Sequence, residues 1–402
     1  MSGPATRPRP RGEGPTMSTK LTIDSVRPVL LSYVYTPGNE LEWVAGTIRS
    51  WDAALVEVTL SDGATGIGEA GAGIMAAVAV PGIVDAYRPY IEGTSFEHPL
   101  EVGDWLRAHT AFWSRGGISS GVAGALEVAA FDAVGKREGR AAYELLGGLA
   151  RQKIEAYASG GLGTTFDEID AWAQDQCEAG FTTIKFRAMK DPDTTIELIE
   201  HVAQFLPDRV RFALDAVQGS ASRPWSVHDA IRVGLVAQKC GARWYEEPCF
   251  ATDIAGYARV RAALDVTVSG VESHGTFDEF AQLITAGGVG LAQPDVTFVG
   301  GFKNFQRVAD LARDHDVACV PHVWGSAVTL SANLHAALSH EHVQLFEYCT
   351  LANPLRDELL VEPIEFRVGF IHAPKGPGVG VHVDAATELK FPFSSGGGHV
   401  IA

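Results

Sequence analysis

The sequence predicts an α/β protein built on a (β/α)8-type barrel, with a smaller α+β domain ahead of it. Three observations lead there. From Arg151 onward, short β-branched runs alternate with amphipathic helical stretches, eight strand–helix units in all. Three consecutive runs end in an acid: Asp215, Glu246 and Glu272. These acids lie about 31 and 26 residues apart, close to one unit of a barrel of roughly 250 residues divided by eight. Before Gly148 the strand and helix signals follow no such rhythm.

The bulk composition sets outer limits. With 402 residues, 46% hydrophobic and 20% charged, and a mean hydropathy of +0.06, the chain reads as a soluble globular protein of two domains. No apolar run approaches the roughly 18 residues of a membrane span. The first residues carry Arg7, Arg9 and Arg11 among prolines, with no apolar core for a signal peptide, so residues 1–19 read as a disordered tail. Met17 is a candidate second start. A formal charge of −17 argues against nucleic acid and anionic membranes as partners. The five cysteines form no CxxC pair and are odd in number, which fits buried reduced thiols and a cytoplasmic location.

In order along the chain, Ala53–Leu60 alternates like a strand, Ser61-Asp62-Gly63 makes a turn, and Gly66-Ile67-Gly68-Glu69 follows. Helical patterns run over Ile83–Ile91 and Val122–Arg137. The barrel strands are expected at Ile154–Ala158, Thr182–Phe186, Val210–Leu214, Arg243–Tyr245, Val266–Ser269, Val289–Ala292, Val317–Val320 and Val343–Phe346. Helices are expected between them at Phe166–Ala179, Thr194–Phe205, Val227–Lys239 and Phe302–Asp314. Beyond about Ala373 no further unit is visible, and the last residues are expected to return to the first domain.

The strand ends carry the chemistry. Pro248 stops the run Arg243-Trp244-Tyr245-Glu246-Glu247, which places Glu246 at a carboxyl end, where barrels of this kind hold their sites. Asp215, Glu246 and Glu272 converge there, and three carboxylates need a neutralising partner such as a hard divalent cation. Lys185 and Arg187 are two residues apart on the second strand and so share a face. Asp295, after the sixth strand, and His322, after the seventh, are neighbours around the ring. A carboxylate on one imidazole nitrogen fixes the tautomer and leaves the other nitrogen as a general base. A histidine taken alone is more often structural; the paired acid and the three convergent acids favour the base. Glu347 ends the eighth strand and faces the same mouth.

The ring Lys185, Arg187, Asp215, Glu246, Glu272, Asp295, His322 and Glu347, in that order, resembles the enolase superfamily and, within it, the mandelate racemase subgroup. Ala129–Asp132 followed by Tyr143–Gly148 is similar to the end of the family's capping domain, and Gln293-Pro294-Asp295 with Gly300-Gly301 to its sixth strand and turn. The resemblance implies a capping domain over 20–150, a barrel over 151–372 and a C-terminal segment over 373–402 that packs on the cap. It implies Mg²⁺ held by Asp215, Glu246 and Glu272, an Asp295–His322 dyad, and Glu347 donating a hydrogen bond to a substrate carboxylate. It also implies covering loops within Leu31–Arg49 and Thr110–Ser119, and a homo-oligomer.

Two departures bear on the reaction. The family commonly has Lys-x-Lys on the second strand, its second lysine serving as a base; here that position is Arg187, which stays protonated and is a poor base. Relatives often carry asparagine or histidine where Val217 stands. A single competent base, His322, favours dehydration of an acid sugar, an aldonate or aldarate, over racemisation. In place of the common Gly-Glu, Val271 precedes Glu272. The expected reaction is α-proton abstraction and loss of the β-hydroxyl to give a 2-keto-3-deoxy acid. A racemase or epimerase, and a non-catalytic sugar-acid binding protein, are the alternatives. The cycloisomerase subgroup uses a lysine at the end of strand six, which Asp295–Gly301 lacks. His274 could line the pocket, but a loop position suits it better.

Overall fold

The structure is a computed structural model and describes residues 19–43, 46–395 and 399–401. The expected tail lies outside these residues apart from Thr19, whose hydroxyl donates to the Glu97 carbonyl at 2.7 Å.

An antiparallel sheet opens the chain, in the order Thr65–Glu69, Ser50–Leu60, Leu21–Val34, Ser95–Phe96. Its longest strand, Leu21–Val34, is not apparent from sequence because Pro28 sits in its middle and removes a ladder donor. The strand tolerates proline because only Ser50–Leu60 pairs along its length; Ser95–Phe96 reaches only Leu21 and Thr22. The helix Ile118–Glu138 starts four residues before its expected position and packs flush on Thr65–Glu69. Gly66 and Gly68 permit that approach, since a Cβ on either would collide with the carbonyl oxygens of Ala129 and Ala125. Among the described residues this is the one helix long and apolar enough to cross a membrane, and its surface is buried within the protein.

The barrel strands are, in order, Lys153–Ser159, Thr183–Arg187, Arg211–Asp215, Tyr245–Glu246, Val268–Gly270, Leu291–Ala292, Ala318–Cys319 and Leu345–Cys349. Each of the first six pairs in parallel with the next. The eighth pairs with the first, and a Cys319–Val343 bridge closes the ring. The middle strands are shorter than expected because regular pairing ends where each chain turns into its own loop. Helices Phe166–Ala179, Val227–Lys239 and Phe302–Asp314 fall at their expected bounds. Pro192–Phe205 begins two residues early, with proline in its first turn and the Asp191 carboxylate accepting from the Asp193 and Thr194 N–H groups.

Buried carboxylates bind the parts together. Asp132 accepts from the Ile67 N–H at 2.9 Å, the Val379 N–H at 2.8 Å and the Lys136 ammonium at 2.6 Å, joining the opening sheet, the long helix and the C-terminal segment. That segment also meets the sheet at the Leu31–Pro392 bridge, and His399–Ile401 pairs with Gly46–Ile48. Glu69 reaches into the barrel, accepting from the Ser326 hydroxyl (2.6 Å), the Thr329 N–H (3.0 Å) and the Thr329 hydroxyl (2.8 Å). All five cysteines are free; Cys177 and Cys240 are half-buried rather than buried.

Candidate active site

Strand register brings the charged residues together. Arg187 and Asp215 are direct neighbours across the second and third strands, and Glu246 is the neighbour of Asp215 across the third and fourth. Glu272 lies two residues past the fifth strand. Carboxylate oxygens of Asp215, Glu246 and Glu272 all lie within 4.8 Å of one another. Glu272 Oε2 is buried without a hydrogen-bond partner, so the trio has a donor to spare. An all-oxygen set of this kind suits a hard divalent ion.

The backbone around these acids is unusual. Val217, Glu247 and Val271 each adopt a left-handed conformation, with φ of 55°, 45° and 66°. Each lies within two residues of one of the three acids, and strain of about 1–3 kcal/mol per residue is typical where a site over-determines the chain. Val271 occupies a conformation natural to glycine, the residue the family resemblance implies there, and the glutamate after it still reaches the cluster.

Lys185 is fully buried and bridges the ring, with its ammonium 2.5 Å from Glu246, 2.8 Å from Glu347 and 3.7 Å from Asp215. Burial disfavours its charge, but Glu246 and Glu347 outweigh that and hold it as an ammonium, with its pKa raised. Arg187 contacts Asp215 and lies over the Trp324 ring, 4.8 Å from its centroid. Sequence reasoning assigned no role to three further partners. Trp244 and Gln293 each donate to Glu246 Oε2 at 2.8 Å, and Trp324 donates to the Ser159 hydroxyl at 3.0 Å. The only sequence signal for them is their position beside the expected site residues.

His322 Nδ1 lies 2.9 Å from Asp295 Oδ2, and His322 Nε2 lies 3.6 Å from Glu272. Asp295 is held by the Thr297 N–H and hydroxyl and by Asn333, at 2.7–2.8 Å. Burial opposes charging of His322, yet Glu272 and Asp295 prevail and push its pKa up to about 9. Glu347 faces Lys185 and the seventh-strand loop. Burial would favour a protonated donor, but Lys185 and His322 hold it ionised, well below the usual carboxylate range, and its Oε2 accepts from the Val323 N–H at 2.8 Å. The second acid of the Glu246-Glu247 pair is buried and stands apart from the trio; burial and then Glu272 push its pKa upward.

A cavity of about 330 Å³ opens onto this cluster. Asp215, Glu272, Arg187 and His322 line it from the barrel. The expected covering loops are only partly right. Ile48 lies within Leu31–Arg49, but the larger cover is Ala72–Ala76, directly after the strand that ends at Glu69. No described residue of Thr110–Ser119 lines the cavity; that segment rests against Gly275 instead. His274 is buried with its ring edge-to-face on Phe280, away from the cavity lining.

Residues 168–387 match the family model for the enolase C-terminal domain-like family, more than half of the chain. The chain belongs to the enolase superfamily, in its mandelate racemase subgroup. A D-galactarolactone cycloisomerase from Agrobacterium fabrum is 32% identical over 84% of this chain and 91% of that protein. An arabinonate dehydratase from Saccharolobus solfataricus is 27% identical over 81% and 86%. The crystal structure of an enolase superfamily member from Polaromonas sp. JS666 superposes with a TM-score of 0.84 at 28% identity, covering 94% of this chain and all of that one. As in other enolase superfamily members, a capping domain and a barrel make up the fold, and the chain is an enzyme.

Proposed function

We propose that this enzyme dehydrates an acid sugar with Mg²⁺, removing the proton α to a carboxylate and expelling the β-hydroxyl. The observation that carries this reading is that, among the described residues lining the cavity, His322, oriented by Asp295, is the one candidate base. Arg187, where a second base would stand, remains a guanidinium and contacts Asp215. The name of the Saccharolobus relative agrees in reaction class.

Asp215, Glu246 and Glu272 would hold the metal, whose charge would stabilise the second negative charge that α-deprotonation places on the substrate carboxylate. Lys185 and Arg187 supply fixed positive charge beside it. Glu272 is the charge that most raises the His322 pKa, so its neutralisation by the bound metal would leave the imidazole neutral; His322 Nε2 then takes the α-proton, and Asp295 stabilises the resulting imidazolium. The electrons of the C–H bond form the Cα–Cβ double bond as the β-oxygen departs. The same imidazolium then protonates that oxygen, releasing water, and the enol tautomerises to a 2-keto-3-deoxy acid. Glu347 fixes the seventh-strand loop through the Val323 N–H and balances Lys185. A ring oxygen can leave by the same route, giving an isomer rather than water loss, in line with the name of the Agrobacterium relative.

His322→Asn is expected to abolish both 2-keto acid formation and α-proton exchange in D₂O. Retained exchange would remove His322 from this role, and exchange with inversion but no elimination would make the enzyme a racemase.

A further inference from the structure

We infer that this site takes a sugar acid with one carboxylate and an uncharged far end, and rejects the doubly charged aldarate. The inference rests on the reading above of the barrel mouth as the place where a carboxylate is activated. The cavity has two chemically different walls. The barrel wall carries the charge: Asp215, Glu272, Arg187 and His322. The lining that the capping domain adds is apolar, and one barrel residue, Leu162, extends it. Ala72, Ile74, Met75 and Ala76 follow the strand Thr65–Glu69, Ile48 comes from Gly46–Ile48, and Leu162 follows the first barrel strand.

No lysine or arginine stands on that apolar wall among the described lining residues. Arg187 belongs to the barrel wall and is engaged by Asp215, while Lys185 is buried behind the carboxylates and bound to Glu246 and Glu347. At about 330 Å³ the cavity is at the small end for ligand sites, so a six-carbon acid spans from one wall to the other. One carboxylate would meet the metal held by the trio, with Arg187 and His322 beside it in the lining. A second would meet methyl and methylene groups, and an unpaired charge there costs far more than a methyl or a lone hydroxyl. Ser220 and Ser273 add two hydroxyls to the lining, enough to serve a neutral tail but not an anion. Aldonates, deoxyaldonates and aldarates with the far carboxyl closed as a lactone share the neutral end.

The test compares substrates that differ at that end alone. The Mg²⁺-loaded full chain is given a hexarate, its monolactone, the matching hexonate and the 6-deoxyhexonate, in every available sugar configuration. Product formation and α-proton exchange are followed, and binding of the same compounds to the His322→Asn protein is measured by calorimetry. The best neutral-ended acid is expected to exceed its hexarate by at least about a hundredfold in kcat/KM, with the same order in affinity. Met75→Arg, which adds a cation at an exposed position of the apolar wall, is expected to narrow that ratio at least about tenfold. A hexarate used as well as or better than its neutral-ended counterparts overturns the inference and leaves the His322 assignment standing. Absence of exchange with every compound overturns the proposed function and this inference together.

Discussion

Glu69 provides the most direct test of how the capping domain supports the chemistry. Its carboxylate is buried and accepts from both the N–H and the hydroxyl of Ser326 and of Thr329, at the start of the helix Ala327–Ser339. Burial raises its pKa, while the Ser326 and Thr329 donors and the helix N-terminus favour the ionised form. Ser326 lies four residues after His322, so the contact braces the loop that carries the base. Glu69→Ala leaves two backbone N–H groups without an acceptor in a closed interior, at about 1–3 kcal/mol each. We expect a loss of about 4 kcal/mol, large against a typical total of about 5–15 kcal/mol. Slight misplacement of the base adds at least about a tenfold fall in kcat. Glu69→Gln is milder, because its carbonyl oxygen can keep the three bonds now made by Oε2. Urea unfolding and steady-state kinetics on the three proteins decide the matter. An alanine variant within about 1 kcal/mol of the parent, with kcat unchanged, would refute the bracing role.

Asp295→Asn is expected to leave the fold intact, by circular dichroism, and to lower kcat by about 10²–10⁴-fold, because the amide no longer fixes the His322 tautomer. Removing divalent ions with a chelator should abolish α-proton exchange and lower the melting temperature, and Mg²⁺ should restore both; a melting temperature indifferent to Mg²⁺ would count against the three-acid site. His335 is fully buried, and burial lowers its pKa to about 3. The unfolded chain binds this proton near 6.5 while the folded chain does not, so its contribution is complete above pH 6.5 and is lost as pH falls toward 3. His335→Asn should therefore flatten the fall in urea midpoint between pH 6.5 and 5; an unchanged slope would assign the acid sensitivity elsewhere.

Much of the site was legible along the chain because the relevant signals are local. Strand periodicity put Lys185 and Arg187 on one face, and both prove buried within it. The regular unit length set Asp215, Glu246 and Glu272 at successive strand ends, where their oxygens meet. Neighbouring units carried Asp295 and His322, whose side chains are hydrogen-bonded. The opening sheet was harder to read, since Pro28 masks Leu21–Val34 and only the one-sided pairing explains its tolerance.

Sequence alone thus determined the barrel, the order of its charged ring and the identity of the candidate base. Tertiary structure decided which side chains neutralise which, that Glu347 lies against Lys185 and the Val323 N–H, that Ala72–Ala76 rather than Thr110–Ser119 covers the cavity, and that Glu69 reaches the start of the helix after the base-bearing loop. The physical reason is range. Periodicity and unit length act over a few to some thirty residues, whereas Glu69 and Ser326 are 257 residues apart and meet only after the capping domain has docked on the barrel.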